Sequence, residues 1–325
     1  MVVDRQGDVN ATVELLKIGS SQLRVEVLPF GATLVGCWLS DGSGGVTNVV
    51  LRYGDLAEYR DRARNPYLGS TVGRYANRIG GARFTIDGAV HELDSNEGAT
   101  CLHGGPVGWS FREWSVLRQS EHGVVLRMIS PDGDQGFPGQ VTATVGYRVE
   151  GSTLHVDGSA VSDAPTPISM TTHAYWNLAG AGAVDAHHLR TTASRVLEID
   201  ASLVPTGRVV RATSGPLALG SDVPIGERRF DHCYWWDQDP RAAVLSDPAS
   251  GRAMTIVTDQ PSIQVYTGDH LGAPFGSRSG ICLEPQQLPD APNHRGFPPV
   301  IVRPGLTYRH RTSYEFSLRR GLLSG

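Results

Sequence analysis

The chain is poor in sulfur and in charge. It holds four cysteines and four methionines in 325 residues, and Cys37, Cys101, Cys233 and Cys282 are too widely spaced for a zinc knuckle or a CxxC redox pair. Buried free thiols in a reducing compartment are the expectation. Charged residues make up 19% of the chain and the formal net charge is −4, so no excess of basic charge would draw a nucleic acid or an anionic membrane. No apolar run approaches the roughly 18 residues needed to cross a bilayer. The first ten residues, MVVDRQGDVN, are polar and lack the apolar core of a secretory signal. Together these absences point to a cytoplasmic protein acting on a small neutral molecule. Long helical patterns are missing too, and Asp55 to Arg64 alone reads as a helix, a short one.

What is present in their place is turn chemistry and alternation. The chain carries 39 glycines and 20 prolines, together well above the usual share of about 12%. Strand-like runs recur at Thr12 to Ile18, Gln22 to Leu28, Thr33 to Leu39, Val46 to Leu51, Gly123 to Ile129, Val141 to Val149 and Thr153 to Val161. Arg83 to Ile86 and Ala89 to Leu93 flank Asp87-Gly88, a dipeptide that tolerates the positive φ angles of a tight hairpin. Residues 1–325 therefore read as one all-β domain, a large antiparallel β-sandwich without internal repeats.

Two distant segments offer proton-handling groups. Read as a strand, Thr171 to Leu178 places Thr171, His173, Tyr175 and Asn177 on one face and Ala174, Trp176 and Leu178 on the other. In Ile281 to Gln286 the same alternation puts Cys282 and Glu284 opposite Ile281 and Leu283. Both His173 and Glu284 are thus expected to stand clear of the apolar packing, where an imidazole and a carboxylate make an acid and base pair. Gly73 to Ile79 adds two arginines four apart, Arg74 and Arg78. Leu102 to Gly105 sets His103 beside two glycines, Phe230 to Trp236 sets Asp231 beside aromatic rings, and Gln264 and Tyr266 share one face of Ser262 to Thr267. Planar amides, guanidinium groups and carboxylates flanked by rings suit a sugar, whose hydroxyls need paired donors and acceptors and whose C–H faces need apolar cover. Each motif also has an ordinary reading: the arginines as loop pins, the tryptophans as packing, and any one of eleven histidines as a hydrogen-bonding structural group.

Taken in order, these segments resemble the aldose 1-epimerase, or galactose mutarotase, family. Gly73 to Ile79 is similar to its GRxANRI motif, Leu102 to Gly105 to its LHGG, His173 to Leu178 to its HxYFNL with Trp176 in place of phenylalanine, and Leu283 to Gln286 to its LExQ. The likeness runs from about Gly31 to Phe316. It implies a large twisted antiparallel β-sandwich, the galactose mutarotase-like supersandwich, with an open cleft. In that cleft Glu284 takes the proton of the anomeric hydroxyl while His173 protonates the ring oxygen. The ring opens, C1–C2 rotates, and closure on the other face gives the other anomer. Arg74, His103, Asp231 and Gln264 fall at positions that the resemblance implies bind sugar hydroxyls, and Asn77 and Tyr175 lie within the same matching motifs. No metal or organic cofactor is implied. The expected partner is a free reducing sugar, in a monomer or homodimer.

The likeness falters between Gly207 and Asp231, where Arg208 to Gly226 lacks the family's usual segment. The rim of the cleft beside Asp231 is therefore expected to differ, and with it the preferred sugar. An enzyme for a modified sugar or pathway intermediate is the alternative, and a sugar-binding protein without turnover is the other. Retention of both His173 and Glu284 speaks against the second.

Overall fold

The computed structural model describes residues 15–318. Its long strands are antiparallel and joined by turns, and among the described residues helical structure is limited to short 3-10 turns. The largest sheet has nine strands in the order Ser115–Gln119, Gly123–Ser130, Val141–Glu150, Thr153–Ser162, Thr307–Leu318, Arg252–Thr258, Ala242–Asp247, His188–Thr191 and Val223–Pro224. A six-stranded sheet runs Tyr175–Trp176, Ile281–Gln286, Ser262–Tyr266, Asp231–Trp235, Arg195–Ile199 and Pro205–Arg211. Four strands between Leu16 and Asn48 form a third sheet. The run expected from Thr12 begins outside the described residues, and its described part forms the strand Leu16–Gly19. The hairpin at Asp87-Gly88 forms as expected, with φ of 51° and 84° at its two turn residues and Ile86 paired with Ala89.

The two larger sheets are layered because each has one apolar face. Leu126, Val145, Tyr147, Val156 and Tyr314 from the nine-stranded sheet share one core with Ile263, Val265, Ile281 and Leu283 from the six-stranded sheet. Trp176 joins the layers, with its ring centroid 4.9 Å from that of Tyr314 and 5.9 Å from that of Phe316. Removing so large a buried ring costs about 3–5 kcal/mol in cores of this kind. The six-stranded sheet thus turns its other face, a polar one, outward.

Two expectations are corrected. The helix at Asp55 to Arg64 is only a 3-10 turn, Leu56–Arg60, capped by the Asp55 carboxylate accepting from the Ala57 amide. It ends at Asp61, which leaves helical backbone and donates its amide to the Glu58 carbonyl, and the Asn65 side-chain amide donates to the Tyr59 carbonyl beyond it. The segment Thr171 to Leu178 is not one strand. Thr171–Thr172 pairs with Thr71–Val72, and Tyr175–Trp176 pairs with Ile281 and Cys282. At the break, His173 exchanges backbone hydrogen bonds with Ser70 and Gly69, both 2.9 Å long. Ala174, Trp176 and Leu178 still enter the core, as the alternation required.

Candidate active site

Register in the six-stranded sheet assembles the site. Tyr175 lies opposite Cys282, Cys282 opposite Tyr266, Glu284 opposite Gln264, and Tyr266 opposite Asp231. Directly paired residues of an antiparallel sheet project to the same side, so all six side chains share the outward face. The loops around Tyr67, Arg78 and His103 fold over it. His173 and Glu284 are consequently covered, with exposures of 5% and 2%, where alternation alone placed them clear of packing. A covering layer contributed by distant loops is invisible to a pattern of period two.

The two groups face one another, His173 Nε2 standing 3.8 Å from Glu284 Oε1. Oε1 is buried and accepts no hydrogen bond from any described residue. Burial lowers the His173 imidazole to about 4. Burial, reinforced by the nearby Asp231 carboxylate and opposed by Arg78, holds the Glu284 carboxyl well above the usual carboxylate range. Desolvation disfavours the charged form of each group, so burial favours the carboxyl with its proton and the imidazole without one. On the far side of the ring, His173 Nδ1 meets Cys282 Sγ at 3.5 Å.

The polar surround is a chain of fixed partners. Gln264 Nε2 donates to Asp231 Oδ1 at 2.6 Å. Arg78 grips Glu97 through two bonds of 2.5 and 2.8 Å and sits 3.9 Å from Asp231 Oδ2. Asp231 keeps 31% of its side chain exposed against 9% for Arg78, which makes Asp231 the more solvent-accessible of the two. His103 is buried, and burial, then His173, then Arg78 depress its imidazole well below the ordinary range. The Tyr67 ring completes the wall, 4.6 Å from His103 and 5.9 Å from His173 between ring centroids. Tyr175 lies 5.2 Å from His173 and donates its hydroxyl to the Pro66 carbonyl at 3.3 Å.

Of the residues expected at the site, His173, Glu284, His103, Tyr175, Asp231 and Gln264 come together. Asn77 stands beside them but works on its own loop, with φ of 66° and its side-chain oxygen accepting from the Arg78 amide. Arg74 is a correction. Its five N–H groups donate to Ser130 Oγ and to the carbonyls of Ser130, Pro131, Phe137 and Pro138, which exhausts a guanidinium's donors. Of the two arginines in the motif, Arg78 is the one that reaches the cleft. Tyr67 and Glu97 carried no signal of their own, since one sits in a proline-flanked turn and the other in a polar loop.

The altered stretch before Asp231 is also elsewhere than expected. Leu217, Leu219, Val223 and Ile225 pack into the main core, and the Leu217 carbonyl accepts from the Tyr234 hydroxyl at 2.8 Å. Tyr234 alternates with Asp231 and Cys233, so this segment lines the apolar back of the sheet. Trp236 is in the same core, and Trp235 packs beside the Arg195 guanidinium, 4.2 Å from its ring centroid.

A β-sandwich whose polar face opposes one buried imidazole to one partnerless carboxyl, inside a shell of fixed hydrogen-bonding groups, has the makings of an acid–base enzyme for a small polyhydroxylated molecule. The sequence profile of aldose 1-epimerases matches residues 14–315. The galactose mutarotase of Homo sapiens is 35% identical over 94% of this chain and 95% of its own length. The aldose 1-epimerase of Escherichia coli K12 is 32% identical over 90% and 91%. Among solved structures, an aldose epimerase homologue from C. elegans superposes with a TM-score of 0.90 at 29% identity, over 94% of this chain and 99% of that one. A galactose 1-epimerase from Lactobacillus acidophilus shares the fold, with a TM-score of 0.82 at 24% identity over 93% of each chain. The chain belongs to the aldose 1-epimerase family. It is an isomerase that interconverts anomers.

Proposed function

We propose that His173 and Glu284 are the acid and base of this isomerisation and that a free hexose is the substrate. The observation that carries the assignment is Glu284 Oε1, buried without a hydrogen-bond donor and aimed at His173 Nε2. The anomeric hydroxyl and the ring oxygen of a cyclic aldose are bonded to the same carbon, so C1 presents both to groups this close. With the pair's single proton moved onto His173, the ionised Glu284 takes the proton from the C1 hydroxyl, the imidazolium gives its proton to the ring oxygen, and the C1–O5 bond breaks to leave an aldehyde. The enzyme then holds its single proton on Glu284 with His173 neutral, the charge state that burial already favours. After rotation about C1–C2 the transfers reverse and the other anomer closes.

Cys282 fits this scheme as a positioning residue. Burial keeps its thiol protonated, and Sγ, 3.5 Å from Nδ1, accepts the Nδ1–H, which leaves Nε2 to give up the working proton. Arg78, His103, Asp231 and Gln264 bind hydroxyls, with the more exposed Asp231 meeting the outer ones. Asp231 is engaged by Gln264 and faces Arg78, which leaves Glu284 as the unengaged carboxyl and disfavours a two-carboxylate glycosidase. The sheets sharing one core support a single folding unit, and four buried free thiols support residence in a reducing cytoplasm. Among the described residues no helix is long and apolar enough to cross a membrane.

Polarimetry of freshly dissolved α-glucose and α-galactose tests the reading. Wild type accelerates the approach to anomeric equilibrium, and His173→Asn and Glu284→Gln each lose about 10²–10⁴-fold. Unchanged rates in both variants overturn the assignment.

A further inference from the structure

His173, Cys282 and Glu284 form more than a proton relay. One ligand atom from each lies within 4.8 Å of the other two, and all three residues are buried. Thiol, imidazole and carboxylate are the donor set that zinc takes, at about 2.3 Å to sulfur and 2.0–2.1 Å to nitrogen or oxygen. For those bond lengths a tetrahedral centre sets sulfur and nitrogen about 3.5 Å apart, and Cys282 Sγ stands 3.5 Å from His173 Nδ1. The carboxylate swings in to close the third bond, its ligand oxygen lying within 4.8 Å of the other two ligand atoms against an O–N edge of about 3.3 Å in such a tetrahedron. The partnerless Glu284 Oε1 supplies the independent mark of an unfilled polar position.

We propose that this triad is an inhibitory site for zinc or a similar thiophilic divalent cation. The ion replaces the Cys282 thiol proton, and also the Glu284 carboxyl proton where that is present, and releases both to solvent. It binds the neutral imidazole, takes up the carboxylate that the C1 hydroxyl needs, and leaves its fourth position to water. The ion occupies the proposed acid and base and switches catalysis off. The inhibitory consequence, though not the binding, rests on this cleft being the sugar site.

The test uses chelator-treated full-length protein titrated with Co²⁺, whose bond to a thiolate gives a near-ultraviolet charge-transfer band. One equivalent is expected to raise the band in wild type and in Cys37→Ala, and Zn²⁺ to bleach it. Cys282→Ser and Cys282→Ala, checked for folding by thermal melt, are expected to lose the band and to weaken Zn²⁺ binding at least tenfold by calorimetry. His173→Gln weakens it similarly. A missing band in wild type, or a band that survives in both Cys282 variants, overturns the site. In wild type Zn²⁺ inhibits mutarotation competitively with galactose. A Cys282-dependent band that no sugar displaces upholds the metal site and sinks the placement of sugar in this cleft.

Discussion

Asn77 and His103 hold each other through two hydrogen bonds, one backbone to ring and one backbone to backbone. The Asn77 amide donates to His103 Nδ1 at 3.1 Å, and the His103 amide returns a 3.0 Å bond to the Asn77 carbonyl. Because Nδ1 accepts, and because the ring is held neutral, its one proton lies on Nε2. His103 is therefore a fixed donor, not a titrating one. The neighbouring Gly104 permits this by its φ of 85° and by lying where a Cβ would collide with the Gly73 carbonyl.

His103→Ala is expected to lower kcat/KM about 10–100-fold, the worth of one or two lost hydrogen bonds to a bound sugar. The shape of the pH profile should not move. A changed profile in this variant would mean that His103 titrates during turnover.

The proposed acid and base pair needs one proton between its two members. As pH falls through about 4, where burial places His173, a second proton arrives and Glu284 no longer serves as base. As pH rises past the elevated value of Glu284, the last proton leaves and no acid remains. kcat/KM is therefore expected to show its acid limb near pH 4 and its alkaline limb above the ordinary carboxylate range. Initial-rate polarimetry across both limbs decides it, and an inflection at an ordinary imidazole pKa of about 6.5 would contradict the assigned environment.

Glu284→Gln should stabilise the protein while disabling it. The folded pKa of Glu284 is raised, so its favourable contribution is complete below the unfolded value of about 4.3 and is lost as pH climbs toward the folded value. An amide escapes that loss and brings a donor of its own. Urea melts at pH 4 and pH 8 should show the variant gaining on wild type as pH rises, by roughly 1–3 kcal/mol. An equal difference at both pH values refutes the elevated pKa.

The two arginines of one motif should fail differently. Arg78→Lys is expected to raise KM about tenfold or more, since a lysine does not reproduce a forked guanidinium, while the melting temperature changes little. Arg74→Lys strands several buried carbonyls, each costing about 1–3 kcal/mol, so its thermal midpoint drops while the kinetics of the folded fraction stay near wild type. Burial holds the Arg74 guanidinium down to about 10, still charged at neutral pH. Calorimetry and initial rates on the same two preparations separate the outcomes.

Local chemistry made much of the architecture readable. Alternation located the long strands within a residue or two, and Asp87-Gly88 declared its hairpin. The same alternation paired Cys282 with Glu284 on one face and put Trp176 on the other, and both hold. It failed for His173, whose chain leaves one strand partner and finds another within two residues, because pairing is decided by tertiary neighbours. It could not choose between Arg74 and Arg78 either. Both are buried arginines beside glycine and aromatics, and only the carbonyls gathered from Ser130 to Pro138 make one of them a pin. The segment from Arg208 to Gly226 misled for the opposite reason: closeness in sequence to Asp231 suggested a shared rim, yet strand alternation sends its neighbour Tyr234 to the other side of the sheet.

The break at His173 divides the labour of the reaction between protein and sugar. The imidazole is fastened by its own backbone to Gly69 and Ser70, and two residues later the chain is fastened to the strand that carries Glu284. On the proposed roles, acid and base are carried by backbone that is tied into adjoining strands. The large rearrangement then belongs to the opened sugar, pivoting about one bond between stationary proton donors and acceptors. On that reading a bulky substituent near C2 is expected to slow turnover even where every hydroxyl contact is kept.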